Sequence, residues 1–245
     1  MTMEKIEGVR SSMTARYAIY YAPEPGSPLD RFGASWLGWS AWTGEAVPQP
    51  AIGGLAPEQL QAMTAEPRRY GFHGTLKPPF ALREGKSAAA LRVAAEQFAA
   101  ARAAFVMPPL KLARLGRFLA LVPSAPSAEL AALAADAVRD LDAFRAAPSE
   151  DELARRRRAG LTPQQEALLL QWGYPYVMDC FRFHLTLTGP LSPPELERLE
   201  AVLRPLTEPL CREAVHVDAV WLFKQPNSAA PFRIAARLPF ASNVS

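Results

Sequence analysis

The sequence predicts a duplicated α+β fold, with two similar lobes whose antiparallel sheets face each other across a central groove and whose helices cover the outer faces. Three observations predict it. Two short segments of one design recur, His73-Gly-Thr75 and His184-Leu-Thr186. Each sits on or beside a strand-like run and is followed by a helical run and then two more strands, an internal repeat. Finally, 245 residues at 49% hydrophobic and 21% charged are enough to bury a sizeable core. Such a repeat usually brings corresponding residues together near a pseudo-axis. No linker divides the halves, so residues 16–245 are expected as one bilobal domain.

Arg16 to Ala22 is rich in aromatic and β-branched residues and stops at Pro23-Glu-Pro25, which makes it the first strand. Pro28 to Pro50 reads as a short helix and an irregular loop, and Pro57 to Met63 as a helix with proline at its first position. The run Arg68 to Lys77 carries the first motif and is expected to stop at Pro78-Pro79. Ser87 to Ala104 is a breaker-free helix, followed by strands Phe105–Leu115 and Phe118–Val122 around a turn at Gly116. Ser127 caps a helix with the apolar stripe Leu130, Leu133, Ala137, Leu141 and Phe144. Ser149 with Glu152, and Thr162 with Gln165, look like capping boxes of two short helices, an insertion near 149–173. Tyr176 to Gly189 alternates as a strand, Ser192 with Glu195 caps another helix, and Cys211–Phe223 and Phe232–Leu238 supply the last strands.

Bulk properties exclude several classes. A formal charge of +3 is too small for a polyanion-coating protein, although an anionic small molecule remains a suitable partner. Cys180 and Cys211 form neither a disulfide framework nor a metal-ligand spacing and fit a reducing cytoplasm. Residues 1–15 are polar and are expected to be disordered, with Met13 an alternative initiator. No signal peptide or membrane span is visible, so a cytoplasmic protein is expected. Oligomeric state is not legible.

The chemistry is carried by the repeat. On a strand, residues two apart share a face, so Arg182, His184 and Thr186 point one way and Phe183 and Leu185 the other. His73, Thr75 and Lys77 share a face by the same count. One His-x-Thr is an ordinary surface pair, but two of only three histidines carry Thr two positions on and Leu directly after it. Imidazole, with an ordinary pKa of about 6.5, can act as base in one copy and acid in the other near neutral pH. With two hydroxyl donors added, the set surrounds a tetrahedral anion, and phosphate fits better than a planar carbonyl. No His, Asp, Glu or Cys cluster completes a metal site in either segment, so no metal or other cofactor is expected.

The chain resembles the 2H phosphoesterase superfamily, which carries two His-x-Thr/Ser motifs on a duplicated α+β fold related to 2',5' RNA ligases. Arg69-Tyr-Gly-Phe-His-Gly-Thr-Leu-Lys-Pro-Pro-Phe80 and Phe181-Arg-Phe-His-Leu-Thr-Leu-Thr-Gly189 are similar to a bacterial branch encoded with carbon-phosphorus lyase genes for phosphonate use. The resemblance implies a groove between two lobes and metal-independent hydrolysis of a cyclic phosphodiester, with a ribose cyclic phosphate as the substrate suggested by the phosphonate branch. His73, Thr75, His184 and Thr186 take the motif positions. Two alternatives stand beside this expectation: an RNA 2',3'-cyclic phosphodiesterase or 2',5' RNA ligase-like enzyme, and a non-catalytic binder of a nucleotide or phosphonate intermediate. RNA is the less favoured partner.

Lys77 and Arg182 are candidates to add positive charge beside a phosphate, and Tyr20 and Lys224 to line the groove. Tyr17 and Trp36 are weaker lining candidates, being more often core. Arg155-Arg-Arg-Arg158 reads as a solvated helix end, and His216, which lacks a Thr partner, as structural.

Overall fold

The structure is a computed structural model that describes residues 14–158 and 160–241. The expected disordered N-terminus falls almost wholly outside the described residues. The chain runs β1 (Arg16–Tyr21), α1 (Pro28–Leu37), β2 (Trp39–Ser40), β3 (Glu45–Ala46), α2 (Pro57–Arg68) and β4 (Gly74–Ala81). It continues through α3 (Ala88–Ala100), β5 (Phe105–Met107), β6 (Leu110–Leu115), β7 (Phe118–Pro123), α4 (Ala128–Asp140), α5 (Glu150–Arg157) and α6 (Pro163–Trp172). Last come β8 (Leu185–Thr186), α7 (Pro193–Thr207), β9 (Val215–Val217), β10 (Ala219–Gln225) and β11 (Arg233–Pro239). The fold is mixed, with a large antiparallel sheet and seven helices among the described residues. No helix among them is long and apolar enough to cross a membrane.

The two lobes expected to face each other as separate sheets are instead joined edge to edge. Seven strands form one sheet in the order β11-β10-β1-β4-β8-β7-β6. The junction is β4 against β8, where Gly74 pairs with Leu185. The two motifs therefore lie side by side on neighbouring strands running in opposite directions. Two smaller pairings, β2 with β3 and β5 with β9, complete the strand structure.

Alternation along β1 separates the two faces of the sheet. Tyr17, Ile19 and Tyr21 enter the main core, where Leu91 and Ala95 of α3, Leu133 and Ala137 of α4 and Leu196 and Leu199 of α7 meet them. Ala18, Tyr20 and Ala22 point the other way into a smaller cluster with Trp221, Phe223 and Phe232. We call this second side the site face. Helix starts follow local sequence: Ser27, Ser87, Ser127, Ser149 and Thr162 each accept a backbone N–H of the first turn.

Two expectations for β4 need correction. The strand does not stop at Pro78-Pro79 but continues to Ala81, paired through Phe80 and Ala81 with Tyr17 and Arg16 of β1. Proline is tolerated there because β8 is only two residues long, so no neighbour on that side asks these positions for an N–H. The second correction concerns Lys77. Tyr20 pairs with Thr75 but Ile19 pairs with Lys77, so a β-bulge at Leu76 breaks the alternation. Lys77 is thereby turned onto the face of Ile19, away from Thr75.

There its ammonium is buried, 2% exposed, and donates to the Val138 carbonyl at 3.0 Å and to Asp142 at 3.4 Å. That carbonyl belongs to the last turn of α4, where a cation offsets the helix dipole. Burial pushes the Lys77 pKa down to about 8, against the pull of Asp142. Lys77→Met is therefore expected to change thermal stability while leaving phosphate-ester affinity unchanged within about twofold, read by calorimetric titration beside a melting curve.

The expected long strand from Tyr176 is also shorter. Met178, at φ 50, opens a 3-10 turn over Met178–Cys180, and regular pairing is confined to Leu185–Thr186. A β-unbranched side chain held in the left-handed region is incompatible with an extended ladder.

Candidate functional site

The first motif is delivered by a turn that only glycine can make. Gly71 sits at φ +74, and a Cβ there would lie 2.8 Å from the Ala41 Cβ. The turn aims the Gly71 carbonyl at the His73 ring, which donates from Nδ1 at 2.9 Å. A carbonyl can only accept, so Nδ1 carries the proton and neutral His73 presents a lone pair at Nε2. The Thr75 hydroxyl donates to that lone pair at 3.2 Å. His184 repeats the device, donating from Nδ1 to the Arg182 carbonyl at 2.7 Å. Its Nε2 and the Thr186 hydroxyl make no hydrogen bond among the described residues.

Gly74 is the second indispensable glycine. A Cβ on Gly74 would lie 2.3 Å from the Phe183 ring, which runs beneath the motif on the core face and meets Tyr21 edge-on at 5.6 Å. The close passage of that ring lets β4 and β8 pair at this point.

The environment holds both imidazoles neutral. Desolvation lowers the His73 pKa from its ordinary value to about 4, with the Gly71 hydrogen bond opposing and the His184 charge reinforcing the shift. His184 is lowered as well, again by desolvation. The contribution of His184 to the His73 shift fits two rings set on one face of the sheet by the Gly74–Leu185 pairing. Tyr20, fully buried, stacks on His73 with ring centroids 3.8 Å apart, and Phe118 flanks His184 at 5.7 Å.

The sign of the resulting pH dependence is fixed. Between pH 6.5 and about 4 the unfolded chain takes a proton that folded His73 refuses, so stability is present above this window and is lost as pH falls through it. Wild type should lose about 3 kcal/mol more than His73→Gln across the window, measured by urea unfolding at stepped pH.

Of the further candidates, Tyr20 is at the site, packed on His73. Arg182 is exposed beside His184 on the extended segment before β8. Lys224 is not at the site: it pairs with Tyr17 and so shares the opposite face with Ile19 and Leu222. Lys77 is excluded by the bulge. Sequence reasoning missed Arg16 and Tyr70. Arg16 shares the face of Tyr20 and lies over the Phe232 ring at 5.6 Å, and Tyr70 stacks on Phe232 at 5.5 Å and lies 6.1 Å from His73. Parity with Tyr20 could have found Arg16.

Among the described residues no group of three His, Cys, Asp or Glu could hold a metal ion. A cleft of about 260 Å³ on the far part of β10, lined by Glu24, His216, Asp218 and Arg237, contains none of the four motif side chains. Arg237 is neutralised there by Glu24 and Asp218 at 3.2 and 3.0 Å, leaving no free cation for an anion.

Two curated relatives bear on the reaction. The chain is 38% identical over 237 residues to ribose 1,5-bisphosphate phosphokinase PhnN of Janthinobacterium sp. (strain Marseille), covering 95% of this chain and 52% of the relative. It is 36% identical over 227 residues to ribose 1,5-bisphosphate phosphokinase PhnN of Laribacter hongkongensis (strain HLHK9), covering 89% and 50%. The chain thus spans about half the length of the curated relatives it matches. Their names correct the expected reaction. A phosphokinase transfers a phosphoryl group, so the hydrolytic cyclic phosphodiesterase is overturned as the function. A model of the family described as "Protein of unknown function (DUF1045)" matches residues 75–233, a span that includes Thr75, His184 and Thr186 and begins two residues after His73. The chain belongs to the DUF1045 family.

Proposed function

We propose that the twin-histidine face seats a phosphorylated ribose, with one phosphate between the two imidazoles, and that this chain serves phosphoryl transfer by holding that sugar phosphate through imidazolium and hydroxyl donors. One observation carries the proposal: two imidazoles, each one residue before one of two paired strands and on one face by the Gly74–Leu185 register, spend Nδ1 on a backbone carbonyl and keep Nε2 as the remaining ring nitrogen. The relatives named for ribose 1,5-bisphosphate supply the substrate class. The duplicated His-x-Thr layout, resembling the 2H superfamily, supports a phosphate rather than a carboxylate at this place.

The chain does not look like a complete kinase of the P-loop kind. Its one Gly-Lys-Ser run, Gly85-Lys86-Ser87, has Phe80 where the G-x-x-x-x-G-K-S pattern requires glycine. The proposal accordingly gives this chain the sugar-phosphate end of the reaction and leaves the phosphoryl donor's seat outside the twin-histidine face.

A phosphate dianion arriving beside two imidazoles raises their pKa values, because the charged form gains a partner. Thr75 and Thr186 are then free to donate to phosphate oxygens, Thr75 giving up its bond to His73 as that nitrogen takes a proton. Binding should therefore consume protons. Titration of ribose 1,5-bisphosphate into the chain at pH 6 to 7, in buffers of different ionisation enthalpy, should show one saturable site with net proton uptake. Absence of saturation at millimolar ligand would sink the proposal, and saturation with no proton exchanged would remove the histidines from it.

A further inference from the structure

Beside His73 lies a buried polar group that the twin-histidine chemistry does not use. The Tyr20 hydroxyl is fully buried and has no hydrogen-bond partner among the described residues. Buried hydroxyls are nearly always paired, so a lone one calls for an explanation. The Nε of Arg156 is buried without a partner as well. The ionisable groups whose fields reach Tyr20 are Tyr70, Arg16, Tyr174 and Arg156, two phenols and two cations with no carboxylate among them.

The positions of these groups are fixed by packing. Arg16 gives Nε to Gln225 at 2.8 Å, and its guanidinium lies over Phe232. Arg156, from α5, lies 4.4 Å over the Tyr174 ring. Arg155 and Arg157 on either side are 58% and 42% exposed, while Arg156 is 22% exposed and turned inward. Its nearest acid, Glu152, approaches Nη2 at 3.6 Å, too far for a full hydrogen bond, and leaves Nε open. Guanidinium groups held on aromatic faces, with spare N–H donors and an unpartnered phenol that shares the Phe232 cluster with Arg16, suit the planar, multidentate recognition of a phosphate.

We infer that Tyr20, Arg16 and Arg156 form a second phosphate seat beside the twin-histidine face, so that the chain selects a sugar carrying two phosphates. The inference rests on the twin-histidine reading and deepens it. The first phosphate meets neutral imidazoles and hydroxyls, the second meets permanent cations. The α5–α6 insertion thereby acquires a role: it carries Arg156, held on the Tyr174 ring, within electrostatic reach of Tyr20.

The test is calorimetric titration of the full chain and of Arg156→Gln and Tyr20→Phe with ribose 1,5-bisphosphate, ribose 1-phosphate and ribose 5-phosphate, each variant first shown folded by circular dichroism. Wild type should prefer the bisphosphate by about tenfold or more, the worth of one lost charged hydrogen bond, and each variant should shrink that preference to about threefold or less. A preference retained in full by both variants overturns the second seat. So does a wild type that binds all three compounds alike, and if that binding is still lost in His184→Ala, the twin-histidine reading stands without it. Binding indifferent to His184→Ala overturns both.

Discussion

His184→Ala and His73→Ala each weaken binding of ribose 1,5-bisphosphate by about 10- to 100-fold, the cost of one hydrogen bond to a charged group, with the fold intact. Because Nδ1 of each ring is tied to a carbonyl two residues back, the ring cannot rotate away, and Nε2 is held ready on the site face. Little reorganisation precedes binding, so the loss on truncation falls on the ligand rather than on the ordering of the side chain. Folding survives because the core face, not the site face, carries the main hydrophobic cluster. His73→Ala also uncovers the Tyr20 ring stacked on it and should melt slightly lower than His184→Ala. If the two imidazoles hold one phosphate between them, the double variant loses less than the sum of the two singles. Strict additivity would place them on separate groups.

Gly74→Ala destabilises the protein by about 3 kcal/mol, a large effect for one methyl group, because overpacking a filled core typically costs 1–3 kcal/mol and this contact is among the closest possible. The added Cβ would meet the Phe183 ring at 2.3 and 2.4 Å, and Phe183 is itself buried. The ring cannot move aside without disturbing Tyr21. Phe183→Leu removes the obstacle, so the double variant Gly74→Ala with Phe183→Leu should be more stable than Gly74→Ala alone, measured by urea unfolding. A Gly74→Ala protein as stable as wild type would mean that the β4–β8 junction does not pass as closely as described. The same variant should weaken ligand binding, since the junction sets both motifs.

Much of this architecture is legible from local sequence. Caps at Ser87, Ser127, Ser149 and Thr162 announce their helices because one side chain and one backbone N–H decide each start. The aromatic run of β1 and the paired motifs are equally local. What sequence could not show depends on neighbours. The bulge at Leu76 exists only in the pairing of β4 with β1, and it alone decides that Lys77 is a core ammonium rather than a phosphate ligand. Lys224 was misplaced for a related reason, since its face follows from the register with Tyr17. Separate facing sheets were expected from the repeat, but the direct pairing of Gly74 with Leu185 requires a ring to slide under a glycine, which no periodicity displays. The reaction was misjudged differently. Two histidines and two threonines specify a phosphate and a proton more readily than they specify where the phosphoryl group goes.

The central claim is that His73 and His184 receive the phosphate together, and the imidazole nitrogens can report it themselves. Long-range proton–nitrogen NMR correlation of the three histidines should be recorded during titration with ribose 1,5-bisphosphate. Free protein should show His73 and His184 as neutral rings protonated at Nδ1, and saturation should move both Nε2 resonances towards the imidazolium position while His216, exposed on β9, stays where it was. Saturation that leaves both Nε2 resonances unmoved, or moves only His216, would contradict the account.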